Sequence, residues 1–431
     1  MPRLLSINGS PRHGSPRHGS PRKGNLLGKL QSAYSLHPMV VMVALGLFGL
    51  TGVFHFYQSG DNSHHPEHRQ TLLHLQQSPP QQSTPQPSTP NTNPKLRDPG
   101  DMIPMDCPAY LKQHIDGKLD DPNEGVVHAA QVPRGNDHHP NFFVSLHTKA
   151  FDYTRWIIMD KRDYYEKALT AAFIEVLNDP TTTRPQRVID VGGNIGFFTH
   201  LSAANGPVIV DAFEPNGKNR LRFCESLHLN RWTSEFEETN PAAFAQQSHV
   251  NLYDYGVSKD PGYLNFRQHS NPGMGRFVRR NANDEGKGTR VINLDQLART
   301  RGWFESRTDI AILKVDVEGF DPFVIEGASA LLQAKLIRHV FMEISVQPAG
   351  QDAKDAIDAN KVAIKLLFQS GYELYKMGGW NGPDRLVDFS KETFILNRND
   401  EDAKTDRIIE WAQRERAKQL NLWWRLPTAR K

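Results

Sequence analysis

Two apolar patterns alternate along residues 163–397. Short unbroken runs such as Val208-Ile209-Val210 and Ile310-Ala311-Ile312-Leu313 predict strands buried on both faces. Between them, apolar residues recur at the spacing of a helix with one inward face. The pattern predicts helices over Asp163–Leu177, Ile195–Ala204, Gly217–Asn230, Pro322–Ala334 and Ala353–Ser370. It predicts strands over Arg187–Val191, Val208–Phe213, Val250–Tyr255, Ile310–Val315 and Arg338–Ile344, with late strands at Tyr372–Met377 and Thr393–Leu396. Tyr263–Arg267 and Thr289–Asn293 read as hairpin or edge strands. Alternation of this kind predicts a three-layer α/β sandwich. Asp402–Leu420 is charged and reads as a solvated helical appendage.

Upstream the pattern changes. Pro38–Tyr57 holds no Asp, Glu, Lys or Arg. About 20 residues at 1.5 Å each span a hydrocarbon core of roughly 30 Å, so the run is expected to be a single transmembrane helix. Phe54, Phe56 and Tyr57 supply an aromatic edge. The run starts far from Met1 and lacks a small-x-small site beyond it, which favours an uncleaved signal-anchor over a cleaved signal peptide. Residues 1–36 carry Arg3, Arg12, Arg17, Arg22, Lys23 and Lys29, no acidic residue, and the repeats SPRHG, SPRHG, SPRKG. This is the composition of a basic disordered tail, and its charge places the N-terminus in the cytoplasm and the rest in a lumen of the secretory pathway. Residues 58–104 are rich in Gln, Pro, Ser and Thr and read as a disordered stalk. A folded domain is expected over 105–400, with its motifs within 185–400, followed by the charged helix in 401–431.

Charge and cysteines narrow the class. With 51 Lys and Arg against 48 Asp and Glu, the net charge is +3, and no basic run alternates with aromatics. Nucleic acid is therefore not an expected partner. Cys107 and Cys224 are too few for a disulfide scaffold or a zinc finger. A single disulfide between them is open in an oxidising lumen, but with Cys224 inside a predicted helix they read as two free thiols.

The predicted strand at Arg187–Val191 runs into Asp190-x-Gly192-Gly193-Asn194-x-Gly196, which opens a helix. Glu214 follows the next strand. The spacing is not the G-x-G-x-x-G of dinucleotide binders, which disfavours NAD. Gly192, Gly193 and Gly196 allow a ligand close to the backbone, and the helix N-terminus favours a carboxylate. Asp190 can accept from an ammonium group, and Glu214 from ribose hydroxyls. A ligand with ribose, amine and carboxylate is S-adenosyl-L-methionine. A second group, Lys314-Val315-Asp316-Val317-Glu318-Gly319, ends a buried strand. Ligands of open α/β sheets bind beyond such ends, although Lys314 could simply pair with one of the two carboxylates. Asp316 and Glu318 are candidate bases for deprotonating an acceptor hydroxyl, and so is His269 on the insertion Gln268–Gly275. Asp316 and Glu318 could also hold a divalent metal ion.

The order VIDVGGNIGFFT, AFEPN, INLDQL, LKVDVEGFDPFVIEGA and FMEIS resembles the FkbM family of S-adenosylmethionine-dependent methyltransferases, over roughly residues 185–400. The resemblance implies a class I methyltransferase (Rossmann-like) fold: a seven-stranded, mostly parallel sheet with its last strand antiparallel. It implies cofactor contacts at Asp190, Gly192, Asn194, Gly196 and Glu214, and an active-site wall at Asp316, Glu318 and Gly319. It also implies O-methylation of hydroxyls on sugars, glycolipids or polyketides. Arg231–Ser248 is longer than the family's usual connection, which leaves the adenine contact near Asp254–Val257 open. Together with the apolar run, these features lead to the expectation of a membrane-anchored O-methyltransferase acting on a glycan, a glycolipid or another hydroxyl-bearing small molecule. A Golgi-type glycosyltransferase with an acidic metal site at Asp316 and Glu318 is one alternative. An inactive membrane-tethered binding protein is another.

Overall fold

The computed structural model describes residues 53–55, 102–117, 126–132, 140–147, 153–160, 163–180, 185–233, 247–269, 271–278, 288–346, 353–379, 387–388, 400–414 and 420–427. Val53–His55 (β1) pairs in parallel with Val126–Gln131 (β2), which pairs antiparallel with Phe143–Leu146 (β3). Helix α1 (Cys107–Ile115) is capped by Asp106, whose side chain accepts from the Ala109 N–H. A helical turn, α2 (Tyr153–Arg155), passes into a π-helix at Trp156–Asp160, and α3 (Lys167–Leu177) follows.

The main sheet then begins: β4 (Gln186–Val191), α4 (Phe197–Ala204), β5 (Val208–Phe213), α5 (Gly217–Leu229) and β6 (His249–Tyr253). A small sheet of β7 (Gly256–Val257), β8 (Gly262–Arg267), β9 (Arg276–Val278) and β10 (Thr289–Ile292) is inserted next, in the order β7-β10-β8-β9. The chain returns through α6 (Leu294–Thr300), β11 (Ile310–Val315), α7 (Asp321–Glu326), α8 (Ser329–Gln333) and β12 (Ile337–Ile344). It ends with α9 (Ala353–Gln369), β13 (Glu373–Gly379), β14 (Val387–Asp388), α10 (Glu401–Arg414) and β15 (Leu420–Arg425).

The eight-stranded main sheet has the order β14-β13-β15-β12-β11-β4-β5-β6. Successive residues of one strand serve opposite layers. Val188 and Ile312 face the core formed with α3, α4 and α5, whereas Ile189 and Leu313 face the core formed with α6 to α10. That alternation makes the sandwich three-layered. The chain leaves β4 toward β5 and β6 on one side and later lays β11 on the other. The loops after β4 and β11 therefore meet at a topological switch point, the place where open α/β sheets bind ligands.

Several expectations need correction. The sheet is mixed, with eight strands among the described residues: β12-β11-β4-β5-β6 pair in parallel, but β12-β15, β15-β13 and β13-β14 pair antiparallel. Its antiparallel insert is Leu420–Arg425, because Leu420, Leu422, Trp423 and Trp424 are buried between two strands that need a partner. Thr393–Leu396, read as the last strand, lies outside the described residues. The charged helix is no solvated appendage: α10 buries Ile408, Ile409 and Ala412 and joins α9 through Lys361–Asp406 and Lys365–Asp402 ion pairs. The helix predicted over Pro322–Ala334 breaks at Gly327-Ala328, where a Cβ on Gly327 would lie 2.4 Å from the Ser258 carbonyl oxygen. Cys107 and Cys224 are joined as a disulfide that ties α1 to α5, because the packing of these two helices brings both cysteines together in the core.

The tail (1–36), most of the apolar run and most of the stalk lie outside the described residues. At the far end of that run Val53–His55 is a strand, so an uninterrupted helix over 38–57 does not hold there. Among the described residues, no helix is long and apolar enough to cross a membrane.

Candidate cofactor and acceptor cleft

The glycine loop is a backbone construction. The N–H groups of Gly192 and Gly193 both donate to the Phe213 carbonyl, each at 3.0 Å. Gly192 has φ +82, and a Cβ there would lie 1.9 Å from the Asp316 carbonyl oxygen. A Cβ on Gly193 would meet the Phe223 ring at 2.9 Å. Gly196, at φ +90, begins α4 and leaves room for the buried His200 ring. Burial pushes the His200 imidazole down to about 3, so it stays neutral.

Glu214 closes this loop from the end of β5. Its carboxylate accepts from the Asn194 N–H and the Asn216 N–H, each at 2.7 Å. Burial lifts its pKa to about 7, with the amide hydrogen bonds acting in the opposite direction. Each oxygen can still accept another hydrogen bond. Asp190 is 1% exposed, accepts from the Thr199 hydroxyl at 2.7 Å and lies 3.9 Å from Lys314 Nζ. The cause is strand register, which sets Lys314 of β11 opposite Asp190 of β4.

Lys314 also donates to Asp316 at 3.1 Å. Burial opposes its charge, but Asp316, Asp190 and Glu166 hold its pKa above the ordinary lysine range. Past Asp316 the chain turns through Glu318 (φ +54) and Gly319 (φ +91). Asp321 secures that turn by accepting from the N–H groups of Gly319 at 3.1 Å and Val317 at 3.4 Å.

These loops floor one cleft. Its lining includes Gly192, Asn194, Glu214, Asp316 and Glu318, together with Thr154, Tyr165, Glu166, Asn219 and Glu343. The opposite wall is the turn Asn271–Gly275 and the β8–β9 hairpin, which contributes Phe266, Arg276 and Phe277. The side-chain amides of Asn216 and Asn219 both donate to the Pro272 carbonyl, at 3.1 and 3.2 Å, and so pin the turn over the loop. Asp190, Gly193 and Gly196 lie behind the lining rather than in it. Gly319 and the Asp254–Val257 stretch are likewise not in the lining. His269 is exposed, accepts from the Asn271 N–H at 3.0 Å and does not reach the cleft. Among the described residues, no group of three His, Cys, Asp or Glu side chains could hold a metal ion.

Residues 190–374 match the family model described as Methyltransferase FkbM domain. This stretch is an FkbM methyltransferase domain. Among solved structures, the chain is similar to a provisionally assigned SAM-dependent methyltransferase from Streptococcus mutans, at 10% identity and a TM-score of 0.31, over 67% of this chain and 53% of that one. It is also similar to the SAM-dependent methyltransferase from Agrobacterium tumefaciens, at 9% identity and a TM-score of 0.29, over 69% and 70% of the two chains. A third is phosphoethanolamine N-methyltransferase 2 from Haemonchus contortus in complex with S-adenosyl-L-methionine, at 10% identity and a TM-score of 0.27, over 78% and 75%. The chain spans about half the length of the first of these. No curated protein sequence matches it.

The cleft of the FkbM domain is completed from outside the matched stretch, by Thr154, Tyr165 and Glu166. Sequence reasoning missed these three, because nothing local marks a Glu at the start of an amphipathic helix. Glu343 stands in the run Phe341-Met342-Glu343-Ile344 that the sequence singles out, but the pattern gives it no role of its own.

Proposed function

We propose that the chain is a membrane-attached, S-adenosyl-L-methionine-dependent O-methyltransferase that modifies a hydroxyl of a glycan or glycolipid in the secretory pathway. The observation that carries this reading is the meeting of the Glu214-locked glycine loop with Asp316 at the switch point of an FkbM domain. S-adenosyl-L-methionine would supply an electrophilic methyl group. Glu214 would accept from its ribose hydroxyls, and the N-terminus of α4 would favour its carboxylate. Asp190, engaged with Thr199 and Lys314, would hold the loop rather than touch the ammonium group. Much of the rate would come from alignment of acceptor and methyl group.

Two observations support the compartment. The uncharged run 38–57 suits an anchor, and the Cys107–Cys224 disulfide suits an oxidising lumen. Pairing of Val53–His55 with β2 competes with an anchor that extends to Tyr57, and carbonate extraction of membranes carrying the full chain separates the two arrangements. The deciding experiment is calorimetry of the purified chain with S-adenosylhomocysteine and with UDP-sugars, followed by labelled S-adenosyl-L-methionine and a panel of glycans and glycolipids. The expected result is cofactor binding with label transferred to a hydroxyl. Binding of a UDP-sugar instead would make the chain a glycosyltransferase. Cofactor binding without transfer to any acceptor would make it a tethered binding protein.

A further inference from the structure

We propose that Glu166 is the residue that takes the proton from the acceptor hydroxyl, a role supplied from outside the FkbM domain match. The inference rests on the reading of the cleft as a site of methyl transfer from S-adenosyl-L-methionine.

Three carboxylates near the cleft already accept hydrogen bonds within the protein. Asp316 is held by Lys314 at 3.1 Å, Asp321 by the Gly319 and Val317 amides, and Glu214 by the Asn194 and Asn216 amides. Glu166 differs. It lines the cleft, and its buried Oε2 has no hydrogen-bond partner. Its backbone sits at φ +44, a left-handed conformation costly for a residue with a side chain, where it starts α3. Strain of this kind gathers at functional sites.

The charges around it suit a base. Burial and then Asp316 oppose ionisation of Glu166, and Lys314 of β11 is the cation that partly offsets them, leaving its pKa raised to about 8. Tyr165 adjoins it on the same segment, and burial, then Glu166, Asp316, Glu318 and Glu343, hold that phenol protonated. Glu343 of β12 is pushed well above the ordinary range by burial, then by Asp316, Asp321, Glu318 and Glu166. In the transfer, the acceptor oxygen takes the methyl group and the electron pair of the broken carbon–sulfur bond stays on sulfur. Glu166 Oε2 takes the hydroxyl proton. The products are a neutral ether, a neutral thioether and a protonated carboxyl.

The test compares the full wild-type chain with Glu166→Gln and Glu166→Asp. Affinity for S-adenosyl-L-methionine and for S-adenosylhomocysteine is measured from pH 6 to 9, and so is transfer to the glycan panel. A carboxylate at the reacting centre attracts the sulfonium and not the thioether. Glu166→Gln should therefore keep S-adenosylhomocysteine affinity within about threefold and lose the pH-dependent preference for the sulfonium. Transfer should fall about 100-fold or more, the usual range for loss of a general base. Wild-type transfer should rise through an apparent pKa near 8, and Glu166→Asp should retain that rise at a lower rate. Equal loss of both affinities would place Glu166 on the cofactor's ammonium group and overturn the proposal, as would undiminished transfer by Glu166→Gln. If wild type methylates no glycan, the acceptor reading fails by itself, and the sulfonium preference still decides for or against Glu166.

Discussion

A methyl group on Gly192 would lie 1.9 Å from the Asp316 carbonyl oxygen, and both belong to backbone that cannot swing away. Gly192→Ala also places a side chain at φ +82. It should cost roughly 2 kcal/mol or more in stability and abolish S-adenosylhomocysteine binding, as read by thermal melting and calorimetry. Glu214 makes a pH prediction. Its folded-state pKa is raised from 4.5 to about 7, so the folded chain binds its proton more tightly than the unfolded chain does. Its contribution to stability is therefore fully present below about 4.5 and is lost as pH rises through about 7. Cofactor binding runs the other way, because the ionised carboxylate is the better acceptor for ribose hydroxyls. S-adenosylhomocysteine affinity should rise between pH 6 and 8 in wild type and stay flat in Glu214→Gln; a flat wild-type profile would remove Glu214 from the ribose contact. This residue was legible because spacing, strand and helix all pointed to it. Glu166 was not, since its role depends on Lys314 and Asp316 far along the chain, and His269 was overread from a loop whose only mark was its glycines.

The strands of the parallel core were readable because burial on both faces leaves no alternation to confuse. β15 was not: Leu420–Arg425 follows a charged helix, and its place between β12 and β13 is visible only once both exist. Its two tryptophans are the test. Trp424 is fully buried, and Trp423 packs against Phe341 and Tyr375. Trp424→Ala should cost about 3–5 kcal/mol, and a chain ending at residue 400 should lose its cooperative melt. A shortened chain that melts as wild type does would show that the sheet stands without this strand. Asp295 shows the same logic at a helix end. It lies in the INLDQL motif, yet its carboxylate accepts from the Ala330 and Leu331 amides and so caps α8 across the fold. Asp295→Ala should cost about 1–2 kcal/mol, as for loss of a helix cap, and leave S-adenosylhomocysteine affinity unchanged.

Nothing in the spacing of Cys107 and Cys224 announced a bond, because it depends on α1 packing across α5. Helix α5 is also the element that carries Asn219 and follows Asn216, the two residues that hold the Pro272 turn over the cleft. The disulfide thus links a segment outside the FkbM match to one wall of the site. It joins residues 117 apart in sequence, and closing a loop of that size typically contributes about 2–4 kcal/mol by restricting the unfolded chain. Near the transition of a folded domain of about 300 residues that corresponds to a shift in melting midpoint of roughly 3–6 °C. Cys107→Ser and Cys224→Ser should each produce it, and the double variant should add little, because either change removes the same crosslink. Reductant should lower the wild-type midpoint by the same amount and leave both variants unmoved. S-adenosylhomocysteine affinity should change little, since α5 is held independently by Ser145–Glu225 and by Asn230 bonded to both the N–H and the carbonyl of Phe143. Midpoints insensitive to reductant, with both thiols alkylated after denaturation of the non-reduced chain, would remove the disulfide. That result would also remove the strongest support within the folded domain for an oxidising compartment, leaving the placement to the apolar run alone.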